Sequence, residues 1–495
     1  MKLILAASAG LLAYLGWRSL GWPLIHDAPL MHYIAWLLTQ GAVPYRDAFD
    51  MNVPGVYLVH LAVLAVGGSG DWPWRLFDLG WLAATCGLVY GYCRPMTTRW
   101  AAAAGAALFA LYHLSGGAWR AGQRDFLLGA FLLAGAWGVA RSVERGGRLR
   151  PLLWSGLALG AGMTVKPHAA LYWAICAVAA GWAWWRRGRP VWLAAGTVLG
   201  AGLLVPALVF GWLGWLGGLR PFIEILTGYV LPLYSHVGRA TALQALRWYA
   251  YGWELWLLFL ALGALAVLAP VPREFAARKT LAALGAAYGW LHFALQGKGW
   301  EYQLYPLALF LCVLAPTAVA RVSRDPRRGA LVAFGYRRGL ALALWALLVV
   351  VLGVKGMAAL EAPWIAAKER RVAAVTRELG RLVPPGATAQ VMDVTEGGIH
   401  ALLNLRVRQP TRFIYDFHFF HDEADPRIQA LRAEFAAALE AGRPAVIVIF
   451  KDTWNRAGYD RLQELPAVSR LLGRAYGVAV DGDGYRIYVR RHHAA

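Results

Sequence analysis

Hydrophobic and polar positions in this chain alternate in long blocks. Apolar runs of membrane length occupy 3–20, 75–93, 97–114, 126–140, 151–165, 169–185, 191–218, 246–269, 280–296, 303–320 and 339–357, divided by short polar loops. The run from Val191 to Gly218 holds no charged residue; at about 1.5 Å per residue it can cross a hydrocarbon core of roughly 30 Å. The pattern predicts a polytopic α-helical membrane protein with about 11–13 transmembrane helices. A content of 59% hydrophobic residues and a mean hydropathy of +0.45 agree with this and exclude an ordinary soluble enzyme. The run 54–68 either spans or dips in and returns.

Past residue 358 the period changes. A helix opens at Lys368-Glu369-Arg370-Arg371, runs to about Leu382 and stops at Pro384-Pro385-Gly386. Strand-like runs follow at Ala389–Val394, Arg412–Tyr415 and Ala445–Phe450, with a helical pattern over Pro426–Ala441. A last hairpin pairs Ala475–Val480 with Tyr485–Val489 around Asp481-Gly482-Asp483-Gly484. Residues 1–357 therefore form the membrane region, with a first loop at 22–53, and 358–495 a small α/β domain.

Charge refines the topology. The net charge of +21 comes from 49 Lys and Arg against 28 Asp and Glu. The bases fall in the short loops Arg141–Arg150, Arg186–Arg189, Arg273–Lys279 and Arg321–Arg338, the signature of cytoplasmic connections. Topology and contact with membrane lipids account for them without nucleic acid. Loops 22–53, 115–125, 165–168, 218–245 and 296–302 then lie outside, with the C-terminal domain. Pro29–Gln40 reads as an interfacial helix anchored by Tyr33 and Trp36 and stopped at Gly41. The four cysteines lie in or at the ends of apolar spans without metal-type spacing and read as packing. Met1-Lys2 and the run behind it read as a retained first helix.

Four polar constellations carry candidate chemistry. In the first loop, Asp27, Asp47 and Asp50 fall within 24 positions, with Tyr45 between. Carboxylates there suit a general base, and Asp27 with Asp50 could hold a divalent cation, Mg²⁺ or Mn²⁺, through oxygen; the plainer reading is a helix cap and a solvated loop. The second is Trp119-Arg120-Ala121-Gly122-Gln123-Arg124-Asp125, where Arg124 could fork onto a phosphate; the plainer reading is a snorkelling arginine with Asp125 as helix cap. In the third, Val165-Lys166-Pro167-His168, Lys166 is the candidate phosphate ligand and His168 its support. The fourth is Gly297-Lys298-Gly299-Trp300-Glu301-Tyr302, a lysine in an outward loop beside Trp300 and Tyr302; belt aromatics are the alternative. His418, His421, Asp422 and Glu423 read as a surface loop.

These residues, with Gly41-Ala42-Val43-Pro44-Tyr45-Arg46-Asp47-Ala48-Phe49-Asp50 leading to Pro54, resemble the GT-C superfamily of integral-membrane glycosyltransferases. The likeness is strongest to the bacterial branch related to protein O-mannosyltransferases and lipid A aminoarabinose transferases. The resemblance implies a hexosyl- or pentosyltransferase of the bacterial inner membrane that uses a polyprenyl-phosphate sugar. Its active site would face the periplasm or cell exterior, and the acceptor would be an envelope lipid, glycan or protein. It places catalysis on Asp27 and metal holding on Asp50, although Asp27 lacks the neighbouring acid of the family pattern. A flippase or transporter of lipid-linked saccharides, or an O-antigen polymerase or ligase, is the competing class. A transporter would call for internal repeats, and the sequence shows no convincing one.

Overall fold

The computed structural model describes residues 1–241, 244, 252–320, 328–454 and 456–491, without the side chains of 328–334. The start of the predicted 246–269 span and the first part of the Arg321–Arg338 loop lie outside the described residues. In chain order the helices are α1 (Lys2–Ser19), α2 (Asp27–Thr39), α3 (Gly55–Gly67), α4 (Asp71–Cys93), α5 (Arg99–Leu114), α6 (Arg124–Glu144), α7 (Leu149–Val165) and α8 (Ala169–Trp185). They continue with α9 (Val191–Trp215), α10 (Leu219–Ile225, running on in π-helical form through Leu226–Tyr234), α11 (Trp253–Leu268), α12 (Ala276–Gln296), α13 (Tyr305–Ala318), α14 (Arg328–Leu360) and α15 (Pro363–Leu382). Each apolar run of membrane length has its helix. Asp71–Cys93, Arg124–Glu144, Val191–Trp215 and the segment Gly335–Leu382 are long and apolar enough to cross a membrane.

The chain divides into two compact units. The first comprises Met1–Trp22, Arg75–Val209 and Gly238–Glu361. At its centre α13 is buried along its whole length, packed by α5, α6, α11 and α12. Gly285 and Gly289, four apart on α12, let the two backbones touch. A Cβ on Gly289 would stand 2.3 Å from the Leu307 nitrogen, and one on Gly285 2.5 Å from the Phe310 ring. Outer helices carry exposed apolar side chains, among them Trp154, Trp182, Trp192 and Leu208, as lipid-facing surfaces do.

The second unit comprises Pro23–Trp74, Phe210–Val237 and Ala362–Ala495. The first polar loop and α3 thus cluster with the C-terminal domain, a grouping that chain order conceals. α3, at 13 residues and about 20 Å, is shorter than a hydrocarbon core. The sheet runs β1 (Ala389–Met392), β2 (Val446–Phe450), β4 (Tyr485–Arg490), β3 (Tyr476–Gly482), with β1 and β2 parallel and the other pairs antiparallel. β2 is buried on both faces, as its unbroken Val/Ile run requires. The β3–β4 turn is Asp483-Gly484, with Gly484 at φ +79°.

Three expectations are corrected. Arg412–Tyr415 forms no strand; Phe413 makes only an isolated bridge with Phe49. Two helices were not foreseen, α16 (Gly398–Leu405) and, after α17 (Pro426–Gly442), α18 (Pro466–Ala475). α2 is not the amphipathic helix expected, since Ala28 through Leu37, Tyr33 and Trp36 included, are all buried, packed on α3 and α16. Its stop is as expected, with Gly41 at φ +80°.

Candidate functional site

Asp27 opens α2, half-buried, in the first turn where an anion is favoured by the helix dipole. The residue before it, His26, is held at φ 53°, ψ −113°, an unusual conformation for a residue with a Cβ. The His26 ring lies 5.4 Å from that of Trp364 on α15. Burial, then the charge of Lys368, pushes the His26 imidazole down to about 2, so it is neutral beside Asp27 at physiological pH.

Asp47 and Asp50 brace the loop. Asp47 Oδ2 accepts from the Val43 amide at 2.8 Å, and Arg46 forks onto its two oxygens at 2.9 and 2.7 Å. That bonding holds Asp47 below the usual carboxylate range. Tyr45, at φ 68°, donates to the Asn52 carbonyl at 2.6 Å. Asp50 is buried, and both of its oxygens are occupied. Oδ1 accepts from Asn52 at 3.0 Å and Tyr415 at 2.6 Å, and Oδ2 from Asn52 at 2.9 Å and from Tyr57. A carboxylate offers about four acceptor positions, and four contacts fill them. The expected pairing of Asp27 and Asp50 around Mg²⁺ or Mn²⁺ therefore does not fit this donor set. Among the described residues no three His, Cys, Asp or Glu side chains converge on a metal position. The surface-loop reading holds for the exposed Asp422 but is corrected for His418, which is fully buried among Phe49, Tyr229, Tyr415 and Phe417, and for His421, also buried.

The candidate cations belong to the first unit, at helix ends. Lys166, just past α7, is buried and paired with Asp125 at 2.9 Å. His292 Nε2 lies 2.6 Å from the other Asp125 oxygen, and Gln296 reaches it at 3.5 Å. His168 stands edge-on to His292 at 5.5 Å. The sequence thus named Asp125, Lys166 and His168 but not His292. Arg124 is the first residue of α6 and partly buried. Lys298 is buried between α12 and α13, and Trp300 and Tyr302 stack loosely nearby in sequence at 5.5 Å.

A second polar knot was legible only in part, since Arg120 and Glu301 fall in the second and fourth constellations while Arg75, Asp78 and His113 do not. Asp78 is fully buried on α4; it pairs with Arg75, meets His113 Nε2 at 3.0 Å and accepts from the Gly122 amide at 2.7 Å. His113 Nδ1 reaches the Tyr305 hydroxyl at 2.8 Å. Arg120 pairs with Glu301 and donates to the Tyr112 carbonyl at 2.6 Å. Charge inside an apolar run was the available signal, since such residues are costly there.

Residues 52–215 match the family described as dolichyl-phosphate-mannose-protein mannosyltransferase. The fold is similar to two crystal structures of ArnT from Cupriavidus metallidurans. The one bound to undecaprenyl phosphate gives a TM-score of 0.63 at 14% identity, over 99% of this chain and 98% of that one. The apo state gives 0.59 at 13% identity, over 97% and 96%. No curated protein matches the sequence.

Proposed function

From the premise that this multi-pass membrane chain carries the fold of the GT-C glycosyltransferases, we propose that it moves a sugar from a polyprenyl-phosphate donor to a cell-envelope acceptor. The reaction takes place on the outer face of a bacterial inner membrane. The observation that carries the reading is Asp27, a half-buried carboxylate opening α2 behind a conformationally constrained His26. Support for the donor class comes from the structure of similar fold solved with undecaprenyl phosphate. Support for the face comes from the basic loops, which belong on the cytoplasmic side.

In the step proposed, the acceptor oxygen attacks the anomeric carbon while Asp27 takes the hydroxyl proton. The bond from that carbon to the phosphate oxygen breaks, and its electron pair leaves with the phosphate. One displacement inverts the anomeric centre. Charge growing on the leaving phosphate calls for preorganised cations, and Lys298 and Arg124 are assigned that work. Lys166 is already committed to Asp125 and is assigned to hold that carboxylate in place. No step passes through a divalent cation.

Purified protein incubated with labelled polyprenyl-phosphate sugars and envelope acceptors is expected to yield labelled acceptor, with and without EDTA. Uptake into proteoliposomes without a new glycoside would instead make it a transporter. Burial, and secondarily Arg239, pushes the Lys298 ammonium down to about 8. As pH rises through that value the cation is lost, so the donor KM is expected to climb about tenfold between pH 7 and pH 9. In Lys298→Arg, which stays charged, it should remain flat. A flat profile in the parent protein would remove Lys298 from the donor phosphate.

A further inference from the structure

α8 runs out through Trp182-Ala183-Trp184-Trp185 into Arg186-Arg187, and α12 starts at Ala276-Ala277, just behind Arg273. These two ends and the tail of α6 enclose a groove of about 1010 Å³ within the first unit. Five of its lining residues are alanines, from Ala174 to Ala277, and side chains no longer than a methyl leave the room. Val139 and Leu281, both buried, close the bottom with hydrocarbon. The rim is of another kind. Arg186, Arg187 and Arg273 line it, and among the described residues no Asp or Glu does.

The rim charge is largely uncommitted. Arg187 donates to the Ala183 and Val143 carbonyls at 3.2 and 3.0 Å, neutral acceptors that leave its charge in place. Among the described residues Arg186 and Arg273 join no ion pair and no side-chain hydrogen bond. Glu144, at the end of α6, is taken up by Arg278. Glu274, next to Arg273 in sequence, is one carboxylate against three guanidinium groups. On the other side of α8 a second trough of about 430 Å³ is lined by Ala, Val, Gly, Trp and Leu alone, and it shares Ala174, Val178 and Trp182 with the first. Val178 is 70% exposed and Trp182 58%, so the two side chains form a ridge between the troughs.

Two apolar troughs astride a ridge, with cations at the mouth of the larger, are complementary to a molecule with two hydrocarbon chains and an anionic head. We infer that this face binds one anionic diacyl phospholipid, its phosphate between Arg186 and Arg273 and its chains on either side of Val178 and Trp182. The lipid belongs to the leaflet that the basic loops border, the cytoplasmic one by the placement of those loops. Trp182 and Trp185, with ring centres 4.9 Å apart, are the aromatic pair that meets the head-group layer. The site has consequences at the far side of the bundle. α6, α8 and α12 carry Asp125, His168 and His292 at their opposite ends, and Val143 stands about 27 Å along α6 from Asp125. A lipid seated here fastens those three helices at the end remote from the Asp125 set. The inference does not depend on which reaction the protein performs.

The test titrates full-length protein in detergent with phosphatidylglycerol and with phosphatidylcholine of the same chains. Bound lipid is counted by native mass spectrometry, and thermal unfolding is recorded alongside. The parent protein is expected to hold one phosphatidylglycerol about 25-fold more tightly than phosphatidylcholine, a factor of about five for each of Arg186 and Arg273. Replacing both, Arg186→Gln with Arg273→Gln, should erase the preference while the lipid-free unfolding midpoint stays put, because both side chains are exposed. Arg148→Gln with Arg150→Gln removes the same charge from a basic loop outside the groove and should keep the preference. Trp182→Ala lowers the ridge and should weaken both lipids alike. Equal binding of the two lipids by the parent would overturn the proposal, as would equal losses in the two double variants or unchanged binding in Trp182→Ala. Glycerol phosphate, a head without chains, should not displace the lipid. Displacement at matched concentration would make this a site for a free anion and remove the lipid.

Discussion

Asp27→Asn is expected to lower turnover by about a thousandfold, the range seen when a positioned proton acceptor is lost. Asparagine keeps the size and the polar outline of the side chain but takes no proton. α2 should survive the change, because its stability comes from the buried face running from Ala28 to Leu37 rather than from one dipole contact of about 0.5 kcal/mol. The thermal unfolding midpoint and the affinity for polyprenyl phosphate are therefore expected to stay near those of the parent. Turnover of labelled donor, with binding of the same donor measured in parallel, separates chemistry from recognition. Transfer within about tenfold of the parent would move the base elsewhere. Asp50→Asn makes the contrasting control. That carboxylate accepts from Asn52, Tyr57 and Tyr415, so its loss should show as a lower midpoint.

Lys166→Met is expected to cost about 3–5 kcal/mol of stability, the penalty for stranding a buried ionic partner. Asp125 is fully buried, and Lys166 at 2.9 Å is the lysine paired with it. His292 at 2.6 Å could compensate only by taking a proton. Adding Asp125→Asn to Lys166→Met removes the stranded charge and should recover most of the loss, since a buried pair is often no better than neutral groups of similar volume. Thermal unfolding of the two single variants and the double variant gives the coupling energy. Additive losses would mean that the pair carries no mutual interaction. If Lys166 held the donor phosphate instead, the single variant would lose donor affinity at unchanged midpoint.

The membrane helices were legible because each depends on one property, an apolar stretch long enough to span. The turn at Asp483-Gly484 was legible because a two-residue hairpin loop demands φ > 0 from its glycine. The organisation of the first loop was not. Tyr33 and Trp36 look like interfacial anchors in sequence, yet the Tyr33 hydroxyl donates to the Val407 carbonyl at 2.9 Å and accepts from the Gln409 amide at 3.0 Å. No local pattern announces a partner more than 370 positions away. Arg412–Tyr415 resembles a strand because Phe413-Ile414-Tyr415 is a short apolar run of β-formers, whereas the segment packs against Phe49 and Asp50. In the candidate site, Asp27, Lys298 and the Asp125–Lys166 pair stood out as charges at span ends. Arg75, Asp78, His113 and His292 disappeared into the averages of the apolar runs that contain them.

The bond from Tyr415 to Asp50 closes a gap of 365 positions, and the Phe49 amide reaches the Arg412 carbonyl at 2.7 Å across a similar one. During synthesis the amino-terminal segments leave the ribosome first, so the loop behind Asp27 emerges long before the residues that fasten it. A nascent chain that has threaded its early helices into the bilayer still holds an unfinished loop. The fastened form of this loop is thus reserved for chains translated nearly to the end, and a prematurely terminated copy would hold its early helices with the loop left unfastened.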